Sequence, residues 1–173
     1  MRDNLDYSPF APVLPPRRAR ALPWVSVMAA STLTVAPVVA TLPLLPPLGL
    51  IMLLTWRLLA RFSLRPWAAA PLGLFDDLVS GQPLGSAVLL WSMCFLVIEV
   101  IEQRPADRHF GQDWLIAGCL LAAALLAGRL FAAPLDAPLA PVLGVQIAIS
   151  VLLFPSAARL VAWVDRHRTR GLF

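Results

Sequence analysis

The sequence predicts an all-α integral membrane protein, a bundle of six transmembrane helices. Three observations carry this prediction. Between two polar ends, apolar runs of about the length that crosses a bilayer follow one another almost without a break. Of 173 residues, 59% are hydrophobic and 14% charged, with a mean hydropathy of +0.76, which leaves too few polar groups to clothe a soluble fold. Every basic residue is an arginine, and all but Arg129 gather at the two ends and on alternate connections between the runs. That asymmetry is the signature of membrane orientation.

The first run, Leu22–Leu42, follows Arg17, Arg18 and Arg20 and resembles a secretory leader that ends near Val39-Ala40. It is longer than the apolar core of a leader and more runs follow it, so it reads as a retained span. Prolines mark the breaks that follow. Pro43, Pro46 and Pro47 separate it from the second run, Leu44–Leu59, and Pro66 opens the third, Trp67–Gln82. Pro83 separates the third run from the fourth, Leu84–Ile101. Trp114–Phe131 and Pro141–Val164 complete the set, with Pro134 and Pro138 before the last. None of these runs alternates as a barrel strand does, and lipid cannot satisfy an open backbone, so each is expected to be helical.

The second run is the shortest, and a re-entrant loop is its alternative. Charge decides between the two. If the run crosses, Arg57, Arg61 and Arg65 join the N-terminal arginines, Arg104, Arg108 and the C-terminal cluster on one side. Six crossings with both termini in the cytoplasm follow, with residues 1–21 and 165–173 as tails and 22–164 as one membrane domain. Trp24, Trp56, Trp67, Trp114 and Trp163 fall near expected cytoplasmic ends, as an interfacial belt would place them. Arg57, Arg129 and Arg159 lie near span ends and are expected to snorkel to water. Cys94 and Cys119 fall in separate runs and read as buried thiols rather than a disulfide or metal pair.

The net charge of +4 is spread as topology signals, not as a nucleic-acid face, so no nucleic-acid partner is expected. Phosphate-loop, zinc-protease and serine-hydrolase motifs are missing, so neither cofactor nor metal ligands are assigned. His109 and His167 lie outside the runs and read as solvated. The mixed charges from Glu102 to His109 read as a solvated turn, with partner recognition as the alternative.

One constellation stands out in the third run. A helix rising from Pro66 at about 1.5 Å per residue carries Asp77 roughly 16 Å in, near the expected mid-membrane. A carboxyl group at that depth costs several kcal/mol if it faces lipid, so it is expected to face the bundle or a wet cavity. Gly73, Asp77 and Gly81 lie four residues apart on one face, which allows a close neighbour, and Gly85 continues the spacing past Pro83. Asp76 points about 100° away, toward a different neighbour. Three readings remain open: an aspartate that locks one helix against another, a binding site, or acid catalysis. Adjacent residues on a helix diverge, so Asp76 and Asp77 are not a proton-sharing dyad.

The stretch Gly73-Leu74-x-x-Asp77-x-x-x-Gly81-x-x-Leu84-Gly85 resembles the signature of the rod shape-determining MreD family. Pro46-Pro47-Leu48-Gly49-Leu50, the Trp56-Arg57-Leu58 stretch and the six-span layout extend the resemblance over most of the chain. Asp76 lies outside that pattern. The resemblance implies a small, non-catalytic protein of the bacterial inner membrane that belongs to the cell-elongation machinery and acts with MreC, the MreB cytoskeleton and peptidoglycan synthases. It also implies a bundle similar to the substrate-binding components of energy-coupling-factor vitamin transporters. Gly73, Asp77, Gly81, Leu84 and Gly85 are the candidate helix-packing or partner-binding residues. The alternative is that the chain is itself such a transporter component. Ala36 and Ala40 have the spacing of the docking patch that those components use, but at the opposite end of the span from where docking occurs.

Overall fold

The computed structural model describes residues 17–35, 46–60, 63–103, 109–132 and 140–169. These residues form six α-helices and one short 3-10 helix, with no strand among them. Ala36 and Ala40 lie outside the described residues, as do residues 104–108 of the polar connection.

Helix α1 spans Arg17–Val35 and contains Pro23. Helix α2 spans Leu48–Leu59 and begins after Pro46-Pro47, four residues later than the apolar run suggests. Proline has no N–H to give to a preceding turn, but its carbonyl can open a helix, and the Pro47 carbonyl accepts from Ile51 N at 3.0 Å. The 12 residues of α2 reach only about 18 Å, short of the roughly 30 Å of hydrocarbon. Leu50, Ile51 and all residues from Leu53 to Leu58 are buried. A helix that is apolar on every side belongs in the middle of a bundle, and α2 packs against α1, α4, α5 and α6.

Pro66 fixes the next start. Arg65, just before it, is extended (ψ 155°), as a residue preceding proline tends to be, and a 3-10 turn over Pro66–Ala68 leads into α3, Ala69–Ser80. Gly81 ends α3 in the left-handed region at φ 68°, so the helix stops before Pro83 is reached. Helix α4 follows over Ser86–Glu102, α5 over Phe110–Ala132 and α6 over Ala140–Thr169.

The chain folds as three successive hairpins, α1/α2, α3/α4 and α5/α6, joined by packing of α1 on α3, α2 on α6 and α4 on α5. Two polar contacts brace the hairpins. The Trp56 indole donates to Ser26 Oγ at 2.8 Å, which ties α2 to α1. On the other side, Pro155 inside α6 has no N–H to offer the Val151 carbonyl one turn earlier. The Trp114 indole of α5 donates to that carbonyl at 3.0 Å. In lipid a carbonyl without a partner costs several kcal/mol, so a neighbouring helix makes the proline tolerable.

Phe110–Leu130 and Val142–His167 are long and apolar enough to cross a bilayer, and only 22% of each window is buried within the fold. They are therefore not the core helices of a soluble protein. Leu89, Met93, Leu96 and Val100 form an exposed apolar stripe along α4, and Leu74 and Leu78 add to it from α3. Such a surface is suited to lipid.

Burial of α2 corrects two expectations. Trp56, expected in the interfacial belt, is fully buried, and Arg57, expected to reach water, is only 4% exposed. Helix α2 lies inside the bundle, so its last turn has no lipid face along which to snorkel. One thiol also differs from expectation: Cys94 is buried as expected, whereas Cys119 lies on the outer surface of α5.

Candidate functional site

Asp77 lies one turn before the end of α3 and is 1% exposed. Its carboxyl oxygens face the first turn of α4. Oδ2 accepts from Gly85 N at 2.8 Å and from Val88 N at 3.4 Å. Oδ1 accepts from Ala87 N at 2.9 Å and from the Ser86 hydroxyl at 3.0 Å. The first amides of any helix lack intrahelical acceptors, and a side chain at the residue before the helix usually supplies them. Here that residue is Gly85, which has no side chain. Asp77 supplies the cap from the preceding helix and places its oxygens where the α4 dipole is most positive.

The glycines make this reach possible. A Cβ built on Gly73 would stand 2.8 Å from Ala87 O and from the N and Cα of Val88, all backbone atoms that cannot swing aside. Gly73 thus lets α3 lie directly against the first turn of α4, bringing Asp77 within hydrogen-bond range. Gly81 and Gly85, at φ 68° and 97°, make the two left-handed bends of the connection, and a Cβ at either would meet nothing within 4 Å. Their requirement is conformational rather than steric. Leu84, between them, is 72% exposed and is not among the donors to Asp77.

Sequence reasoning placed Asp77 on an inward face but gave no partner for it. The available signal was the pairing of an intramembrane acid with Gly85-Ser86, a helix start lacking a side-chain cap of its own.

The burial of a second charged group, Arg57, runs against the sequence expectation that it reaches water. At the other end of α4, Arg57 Nη2 contacts Glu99 Oε2 and Glu102 Oε2, each at 2.6 Å. Its guanidinium lies 5.7 Å from the centroid of the Phe95 ring. Glu99 and Glu102 are three apart, hence on one face of α4, and that spacing beside an arginine in a buried helix was the signal. No cluster of three or more metal-binding side chains occurs among the described residues.

The match to known proteins covers this whole arrangement. The family described as rod shape-determining protein MreD matches residues 19–162, from α1 to the last third of α6. The chain belongs to the MreD family. As a member of this family, it is a membrane protein of cell-shape determination, and the family places it in the bacterial inner membrane. The MreD family is a structural one, part of the rod-shape complex, whose partners are membrane-associated. No curated protein and no solved structure matches the chain.

Proposed function

We propose that this chain is a non-catalytic inner-membrane component of the bacterial cell-elongation complex, linking MreC and the MreB cytoskeleton to peptidoglycan synthesis. The observation that carries this reading is the family match, which runs through all six helices. The geometry agrees with it. Both oxygens of Asp77 are occupied by donors from its own chain, so this carboxyl group has little freedom to move protons or hold a substrate. Gly73, Asp77, Gly81 and Gly85 act in this reading as the internal lock of the α3/α4 hairpin, which gives partner spans a fixed surface to meet.

In the same reading the chain crosses the membrane six times with both termini cytoplasmic, the arrangement that gathers every arginine but Arg129 on one side. Helices α2 and α3 are then short crossings inside a bundle completed by α5 and α6, and the architecture is of the kind seen in vitamin-transporter substrate components, an analogy of fold alone.

The test is purification of the tagged chain from its own membranes, followed by identification of what accompanies it. MreC and wall-synthesis enzymes are expected, along with loss of rod shape on depletion. An ATPase module in their place would favour the transporter reading. Reporter fusions that placed either terminus outside the cytoplasm would overturn the six-crossing topology.

A further inference from the structure

Helix α6 turns one stripe outward along most of its length. Val145, Leu152, Arg159 and Trp163 follow at steps of seven, seven and four residues, and all four are exposed, whereas Ala158 and Val161 face the bundle. The stripe is apolar as far as Arg159, whose guanidinium has no ion pair or hydrogen bond among the described residues. One turn on, the Trp163 indole N–H also lacks an acceptor among them. Its ring is braced: His167 packs on it with centroids 4.2 Å apart and donates from Nδ1 to the Trp163 carbonyl at 2.9 Å. Asp165, the one acid of α6, lies about 120° round the helix from Arg159, so no carboxylate of α6 shares the stripe.

Helix α5 gives the depth. The Trp114 indole meets the Val151 carbonyl, and a Cβ on Gly118 would touch the Val151 side chain at 3.4 Å, so Val151 lies level with residues 114–118. Arg159 is eight residues, about 12 Å, further along the antiparallel α6, which brings it level with the start of α5 at Phe110. The apolar stretch Phe110–Leu130 begins there. Arg159 therefore stands at the edge of the hydrocarbon. Trp163 lies about 6 Å further out, within a headgroup layer roughly 5–7 Å thick.

A guanidinium can give two parallel N–H bonds to a phosphate, and an indole can give one. We propose that Arg159 and Trp163 form a seat for the phosphate of an anionic phospholipid of the cytoplasmic leaflet. That leaflet carries the negative charge that a lone arginine attracts. Leu152 and Val145, on the same stripe, suit the acyl chains of the same molecule, which an acidic protein side chain would leave without a counterpart. The leaflet rests on the six-crossing reading, whereas the seat rests on α6 itself.

The test is phosphatidylglycerol titrated into the purified chain in detergent, with bound lipid counted by native mass spectrometry. Arg159→Gln is expected to weaken binding about fivefold, and Arg159→Lys to retain most of it. Trp163→Phe, which keeps a ring and removes the donor, is expected to lose less than Arg159→Gln. Arg129→Gln, at the other end of the bundle, should change nothing. Phosphatidylcholine should bind the wild-type chain more weakly, and that difference should vanish in Arg159→Gln.

Unchanged binding by Arg159→Gln would overturn the seat, and so would an equal loss with Arg129→Gln. A lower melting temperature of Arg159→Gln in lipid-free detergent would mark a contact within the chain and overturn it too. Displacement of the lipid by an equal concentration of inorganic phosphate would make it a free-anion site. Loss of a copurifying membrane protein from Arg159→Gln, with lipid affinity intact, would assign the arginine to an acidic partner and overturn the lipid. Reporter fusions that placed the C-terminus outside would overturn the leaflet, a failure of topology that the titration, having no sidedness, does not share.

Discussion

The two ends of α4 each receive a buried charge, and they satisfy it by different means. At the N-terminal end, Asp77 is met by three backbone amides and one hydroxyl, with no cation involved. At the C-terminal end, Arg57 Nη2 is met by two carboxylates, its guanidinium lies over an aromatic ring, and Glu99 remains 44% exposed. Backbone donors are fixed by helix geometry, so the first arrangement specifies one register of α3 against α4. Side-chain partners can rotate and exchange, so the second can adjust. One end defines the hairpin, and the other tolerates movement.

Variants can break this contrast, the largest effect coming first. Gly73→Leu drives a side chain into the α4 backbone and is expected to prevent accumulation of folded protein, since nothing at the contact can move aside. Membrane levels and melting in detergent read this directly, and a wild-type melting curve would refute the close approach. Asp77→Ala leaves three amides and a hydroxyl without their acceptor and is expected to cost about 3–5 kcal/mol. Asp77→Asn, which loses one acceptor oxygen, should fall between Asp77→Ala and the wild type in the same melting assay.

The adjustable end should behave differently under a compensated change. Arg57→Met alone takes one cationic partner from Glu102, whose side chain is only 14% exposed, and is expected to cost about 3 kcal/mol, less than Asp77→Ala because Glu99 can turn to water. Adding Glu99→Gln and Glu102→Leu should restore most of that loss, as apolar replacements of buried ion clusters often do. A triple variant no better than Arg57→Met would show that the two ends are equally rigid. The smallest effect is expected from Gly81→Ala. It meets no atom but must hold φ 68°, at about 1–2 kcal/mol, measured as a modest shift of the melting midpoint.

Much of the fold was legible because membrane helices announce themselves through length, prolines and charge. Pro66 and Gly81 bound α3, and the apolar runs became α4, α5 and α6 with small changes at the ends. What could not be read was which helix sits innermost. The mostly apolar sequence of α2 fits a lipid-facing span as well as a buried one, so position alone assigns Trp56 and Arg57 to the interface. For the site, the i, i+4, i+8 spacing put Gly73 and Asp77 on one face, but Gly81 proved to be a left-handed bend beyond the helix end. The acceptor role of Asp77 depends on a turn between Gly81 and Gly85 whose geometry no periodicity encodes. The 100° step separates Asp76 from its neighbour, while the meeting of Ser31 and Gly49 around it is purely tertiary.

The shortness of α2 bears on how the protein is made. A twelve-residue, mostly apolar helix with an arginine in its last turn is a poor substrate for insertion one helix at a time, because alone in lipid it would expose Arg57 and leave Trp56 without Ser26. This segment should therefore leave the insertion machinery already paired with α1, and settle only when α4 delivers Glu99 and Glu102. Its maturation then waits on synthesis of a helix some forty positions downstream, which makes the nascent chain most vulnerable to quality-control proteases during that interval.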